Sequence, residues 1–244
     1  MPVTQAALTS GFSETDATSY STASITPSAD QLILAAVTSS AASGIAAPTV
    51  TGNGLTWVQV ASIALTDGFR MVTVFRSMGA APSAGAVTFD FGATTQVRCL
   101  WAISEFASVD TTGTNGSGAV VQSATNTAAS GNPATATLAA FGSTDNATYG
   151  AWAGSFNQTA AQTAGTGFTK IHDVDPTTEN QSLGTEWRND NDTTVNATWT
   201  DSAASGTIGV EIKFSSGAGG DFEFSLIRGG KLVGGGMLLK GLVH

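Results

Sequence analysis

Short runs in which apolar and polar residues alternate recur along the chain at intervals of about 10 to 20 residues, separated by turn-forming residues. Residues 86–91 alternate most cleanly, with Val87, Phe89 and Phe91 on one face and Thr88 and Asp90 on the other, which predicts a half-buried strand. Residues 31–38 (QLILAAVT) are nearly all apolar and read as a strand buried on both faces, and 69–78 reads as another two-sided strand. Residues 48–65 hold two strands joined by Gly52-Asn53-Gly54, because Asn and Gly accept the positive φ of a tight turn. The longest apolar stretch, 97–109, predicts a central strand, although its length would also allow a helix. Residues 111–133 are polar and glycine-bearing and read as a long loop with a short strand at 119–122. Further strands are expected at 135–141, 147–156, 168–171, 182–187, 195–200 and 207–214, where Ile208, Val210, Ile212 and Phe214 share a side.

About a dozen short strands without a convincing helix predict an all-β fold, a two-sheet antiparallel β-sandwich of jelly-roll-like type. No strict internal repeat is visible and composition is even up to about Ser215. One sandwich domain over residues 1–214 is therefore expected, with 215–244 as an extended glycine-rich C-terminal arm. In that arm Phe222, Phe224, Leu226, Ile227, then Leu232, Val233, then Met237, Leu238, Leu239, and finally Leu242 and Val243 are separated by glycine pairs and triplets. Such a segment cannot build a core of its own. Its first part, 222–227, alternates like a pairing strand, and these apolar residues are the expected partner-binding positions.

Composition narrows the picture. Only 11% of residues are charged, too few for the charged faces of a helical bundle, while 41% hydrophobic content excludes a disordered chain. Residues 1–213 carry six basic against sixteen acidic side chains, whereas 214–244 carry three against two, so a weakly basic arm is drawn to an acidic body. No basic stripe suits nucleic acid. No run approaches the ~18 apolar residues of a membrane span, and the first residues lack the features of a signal peptide, so synthesis in a cytoplasm is expected. The single cysteine, Cys99, lies in an apolar run and reads as a small buried hydrophobe.

Catalytic motifs are not evident, and the protein is read as a non-enzyme. His172 and His244 are the only histidines, and His172 is expected as a solvent-facing residue at a strand end rather than a triad base. Gly229-Gly230-Lys231 is followed by Leu232 where a phosphate loop needs Ser or Thr. Asp173, Asp175 and Glu179, with Asp190 and Asp192, could give calcium the several oxygens it needs, but the spacing lacks the loop glycine and distal glutamate of an EF-hand. Solvated turns are the favoured reading, with no cofactor. Trp187 and Trp199, flanked by polar residues, are the best candidates for an exposed glycan-binding ring, with core packing favoured for both.

The succession SITPSADQLILAAVTSS, PTVTGNGLTWVQVASIA, RMVTVFRSMGAAPSAGAVTFDFG and WAISEFASVDTTG, continued by NATWTDSAASGTIGVEIKF, resembles a β-sandwich module of tailed-bacteriophage virion structural proteins. The resemblance covers about residues 15–214 and rests on the order of elements. It implies a virion location, made in the bacterial cytoplasm, and a capsid decoration, head-fibre or tail role. Its implied partners are other copies of itself and virion proteins such as the major capsid protein, without nucleic acid or membrane. The alternative is a tail-fibre or spike protein that binds host-surface glycan.

Overall fold

The structure, a computed structural model, describes residues 2–155, 162–176, 180–199 and 202–215. The expected arm positions from Phe222 to Val243, and Glu179 of the acidic set, lie outside the described residues. Within them there is no helix, and the all-β reading holds.

The first half of the chain contributes β1 (Thr4–Ser13), β2 (Ser19–Ser21), β3 (Leu32–Ser40), β4 (Thr49–Gly52), β5 (Val58–Ala64), β6 (Arg70–Ser77), β7 (Val87–Asp90) and β8 (Arg98–Ala107). The second half contributes β9 (Val120–Ala128), β10 (Ala136–Thr137), β11 (Ala147–Gly154), β12 (Thr163–Ala164) and β13 (Thr169–Val174). It ends with β14 (Ser182–Arg188), β15 (Thr194–Val195), β16 (Ala197–Thr198) and β17 (Ser205–Ile212). One five-stranded antiparallel sheet has the order β1-β8-β3-β6-β5, and a second has β13-β14-β11-β17-β9. They pack face to face, so each half of the chain supplies one wall of the sandwich. In the first half, β2, β4 and β7 leave the large sheet for an outer one, ordered β2-β7-β4, which is the interleaving of a jelly roll. In the second half the short ladders β10-β15 and β12-β16 take the outer place.

The layering explains the runs without alternation. One face of the first sheet (Leu32, Leu34, Val72, Val74, Leu100, Phe106) meets Tyr149, Leu183, Ile208, Val210 and Ile212 in the central core. Its other face (Ile33, Val37, Phe75, Trp101, Ile103) meets Tyr20, Val87 and Phe89 of the outer sheet, with Phe89 stacked on Trp101 at 6.5 Å. β3 is therefore buried at every position, as its sequence predicts, and β8, flanked by β1 and β3, is an interior strand over the stretch 97–109. Cys99 is fully buried and the apolar surroundings push its thiol pKa up, in keeping with an inert packing role.

The turn between β4 and β5 forms as predicted. Asn53 takes φ 58° and its amide donates to the carbonyls of Ser83 and Gly85. Gly52, at φ 136°, lies so close to β7 that a Cβ there would sit 2.5 Å from the Ala86 carbonyl oxygen. Only glycine fits.

Two edge strands depart from the sequence reading. β1 was not expected, and the stretch read mainly as loop holds the nine-residue β9. Both run along sheet edges with half of their residues facing solvent, so they carry Thr, Ser, Gln and Ala in place of an apolar face.

Candidate functional site

The last described residues, 213–215, lie beside residues 108–119, which join the two halves of the chain. After β17, Lys213 N–H donates to Ala119 O (2.8 Å), Phe214 N–H to the Asn146 side-chain oxygen (3.1 Å) and Ser215 N–H to Ser108 O (2.9 Å). Lys213 Nζ also pairs with Asp110 at 2.6 Å. That hydrogen bond, with those from Thr112, holds the Asp110 carboxyl down to about 2. The segment joining the halves and residues 213–215 are thus fastened together.

Beside these residues lies a cleft of about 500 Å³ lined by Val120, Val121, Asp145, Asn146, Glu211 and Phe214, among others. Glu211 is only 1% exposed, and its oxygens accept from Gln122 Nε2 (2.6 Å) and Asn146 Nδ2 (2.5 Å). Val121, by contrast, is 51% exposed because a bulge in β9 turns it outward. The cleft combines apolar walls, the Asn146 amide, two acidic residues, Asp145 and Glu211, and the Lys213 ammonium. The sequence reading missed it. Glu211 lies between Val210 and Ile212, and the alternation places it on the side that a single sandwich would leave in water.

The four described acids of the expected calcium set do not converge. Asp173 and Asp175 both accept from Gln162 Nε2 (2.7 and 3.1 Å), and Lys170 pairs with Asp173 at 2.5 Å. Asp190 and Asp192 both pair with Arg188, at 2.5 and 2.8 Å. The pairs lie toward opposite ends of β14, about 13 Å apart at ~3.3 Å per residue, because Asp173 faces Gly184 while Arg188 ends the strand. Among the described residues no group of three or more potential ligands comes together.

The two candidate tryptophans belong to different cores. Trp199 is not an exposed ring: it is 6% exposed, packs with Trp152, Ala197 and Ala203, and donates its indole N–H to Gly131 O at 2.8 Å. Trp187 is partly buried, edge-on to Phe106 at 6.2 Å. Both rings take the core packing that the sequence favours, and the polar neighbours of Trp187, Glu186 and Arg188, belong to the opposite face of β14.

The solvent-facing position expected of His172 is corrected. It is 7% exposed, with Nε2 3.1 Å from Ser104 Oγ and 3.2 Å from Ile103 O across the central core. Burial lowers its pKa and keeps the ring neutral. The apolar face of the opposing sheet, not β13 itself, buries it.

Glu186 is the least expected residue. It is fully buried under the outer ladder, where one oxygen accepts from Gly165 N–H at 2.7 Å and the other has no partner. Desolvation outweighs that bond and pushes its carboxyl up to about 8, with the neighbouring Asp192 charge acting in the same direction. Glu186 faces Gly150 on β11, where a side chain would strike Val195 and Glu186 itself.

Comparison of the chain with protein-family models, with curated proteins and with solved structures gives no match.

Proposed function

We propose that this protein is a non-enzymatic structural component of a bacteriophage virion, a capsid decoration or head-surface protein that oligomerises and anchors through residues 215–244. One observation carries the assembly reading. Three of the four edge strands of the large sheets, β1 (TQAALTSGFS), β5 (VQVASIA) and β9 (VVQSATNTA), contain neither a charged residue nor a proline. Edges meant to stay solitary are blunted by such residues. An unguarded edge accepts an added strand, whose main chain supplies hydrogen bonds and whose alternate side chains find pockets. Phe222, Phe224 and Leu226 have that alternation, and the arm's charge opposes the body's. The virion assignment rests on the sequence resemblance.

The alternative, a tail-fibre or spike protein binding host-surface glycan, relies on an exposed ring at Trp187 or Trp199. Trp199 is buried and Trp187 is packed on Phe106, so the assembly reading is preferred.

Deletion of Ser216–His244 tests it. The truncated protein is expected to keep the far-ultraviolet spectrum of the full chain, to lose concentration-dependent self-association in sedimentation, and to be left out of particles in cells making the other virion proteins. Normal self-association and incorporation of the truncated protein would refute the proposal.

A further inference from the structure

The two large sheets share one strand order. Ranked within each half, the first runs 1-5-2-4-3 (β1-β8-β3-β6-β5), and the second, taken from its other edge, also runs 1-5-2-4-3 (β9-β17-β11-β14-β13). The outer strands repeat the pattern. β7 pairs with β2 and β4, and β15 and β16, one strand interrupted at Asn196, pair with β10 and β12.

The agreement extends to register. Ile33 faces Ser77 and Glu105 on its two neighbours, and Thr148 faces Arg188 and Glu211 on the corresponding strands. Aligning Ile33 with Thr148 matches Phe75 with Glu186. The third strand then carries its bulge at the same place in both halves: Val60 is skipped after the pair Gln59–Phe75, and Ile171 after the pair Lys170–Glu186. A bulge is a local defect, and its coincidence is not required by strand order.

A short motif marks the same relation. Ser28-Ala29-Asp30-Gln31 and Ser143-Thr144-Asp145-Asn146 each make the turn that leads into the second long strand. Each meets a buried glutamate at an equivalent position of the last strand. Glu105 accepts from Ser28 N–H (2.9 Å) and Ser28 Oγ (3.1 Å), and Glu211 accepts from Asn146 Nδ2 (2.5 Å). Along β3, β6 and β8 and the positions aligned with them, only Ala36 with Ala151, Ser40 with Ser155 and Glu105 with Glu211 are identical, so the sequence displays no repeat.

Packing between the sheets is reciprocal. β1 lies on β13 and β5 on β9, β8 lies on β14 and β6 on β17, and β3 lies on β14 and β6 on β11. Exchanging the halves converts each contact into its partner, which is the property of a two-fold, isologous interface.

We infer that the chain is two copies of one eight-stranded module joined by residues 108–119, and that the inner face of each five-stranded sheet is a self-complementary recognition surface whose fitting partner is a second copy of that module. The surface is mainly apolar, with few polar ties across it, among them Gln181 Nε2 to Thr38 Oγ1 (3.0 Å) and the His172–Ser104 contact. Burial of this area, not the connecting segment, holds the halves together.

The test uses the full chain with a protease recognition site inserted between Gly113 and Thr114, both exposed. After cleavage the two pieces are expected to elute together at the size of the uncut protein. They should unfold in one transition whose midpoint now rises with concentration, relative to uncut protein at the same concentrations. Pieces that separate in native buffer, or a midpoint indifferent to concentration, would overturn the recognition surface.

The two-fold itself is tested by moving a contact. Phe106 lies edge-on to Tyr149 at 5.8 Å, and the equivalent positions are Ile212 and Leu34. Phe106→Ile with Tyr149→Leu should lower the unfolding midpoint, and adding Ile212→Phe with Leu34→Tyr should recover part of that loss. A further fall without any recovery would overturn the equivalence.

Discussion

Glu186→Gln isolates the buried carboxyl. Glutamine keeps the shape of the protonated acid and an oxygen for the Gly165 amide, and it removes the ability to ionise. The folded-state pKa is raised from 4.5 to about 8. Stability from this group is therefore full below about 4.5, declines as pH rises toward 8, and is flat above. At ~1.4 kcal/mol per tenfold change in proton affinity the shift sets an upper bound of about 5 kcal/mol, and relaxation of the outer ladder with water entry reduces the expected loss to roughly 2–3 kcal/mol. Urea unfolding followed by tryptophan fluorescence at pH 5, 6, 7, 8 and 9 measures it. Because other groups titrate in this range, the quantity to follow is the difference between the two proteins. The variant should gain on the native chain steadily from pH 5 to 8 and no further at pH 9. A difference constant across the whole range would refute the assignment of a buried, ionising Glu186.

Three further outcomes are expected. His172 has a lowered folded-state pKa, so its contribution is lost as pH falls below about 6.5, and His172→Gln should unfold with a weaker dependence on pH between 7 and 5 than the native chain. Gly52→Ala should cost ~2–3 kcal/mol in denaturant unfolding because its Cβ meets the Ala86 carbonyl, whereas Gly68→Ala, at φ 74° with open space around it, should cost only ~1 kcal/mol. Trp199→Phe removes the bond to Gly131 O and should lower stability by ~1 kcal/mol in the same assay, and an unchanged midpoint would argue against its buried placement.

Much of the fold was legible because strands report burial through spacing. The interior strands β3, β6, β8, β11, β14 and β17 lie where apolar runs predict them, and the positive φ demanded by Gly52-Asn53-Gly54 marks its turn without reference to anything distant. Edge strands carry less of that signal. β1 and β9 bury few large side chains, so their residues suit a loop equally well until a neighbouring strand supplies the pairing.

The site residues were harder to read for a related reason. In a single two-layer sandwich, the polar member of an alternating pair faces water. Here outer strands cover the second face of each large sheet, and the inward face of β13 is closed by the other half of the chain. Glu186, Glu211, His172 and Trp199 therefore stand in alternating or polar contexts and are nevertheless buried. The sequence alone determined the all-β class, the interior strands and the distinct composition of residues 215–244. Tertiary structure alone decided which polar residues lost water, that Asp173 with Asp175 and Asp190 with Asp192 form two separately paired sets, and that the halves repeat one topology. Local periodicity records how a residue sits on its own strand, and it holds no record of what a distant segment lays over that strand.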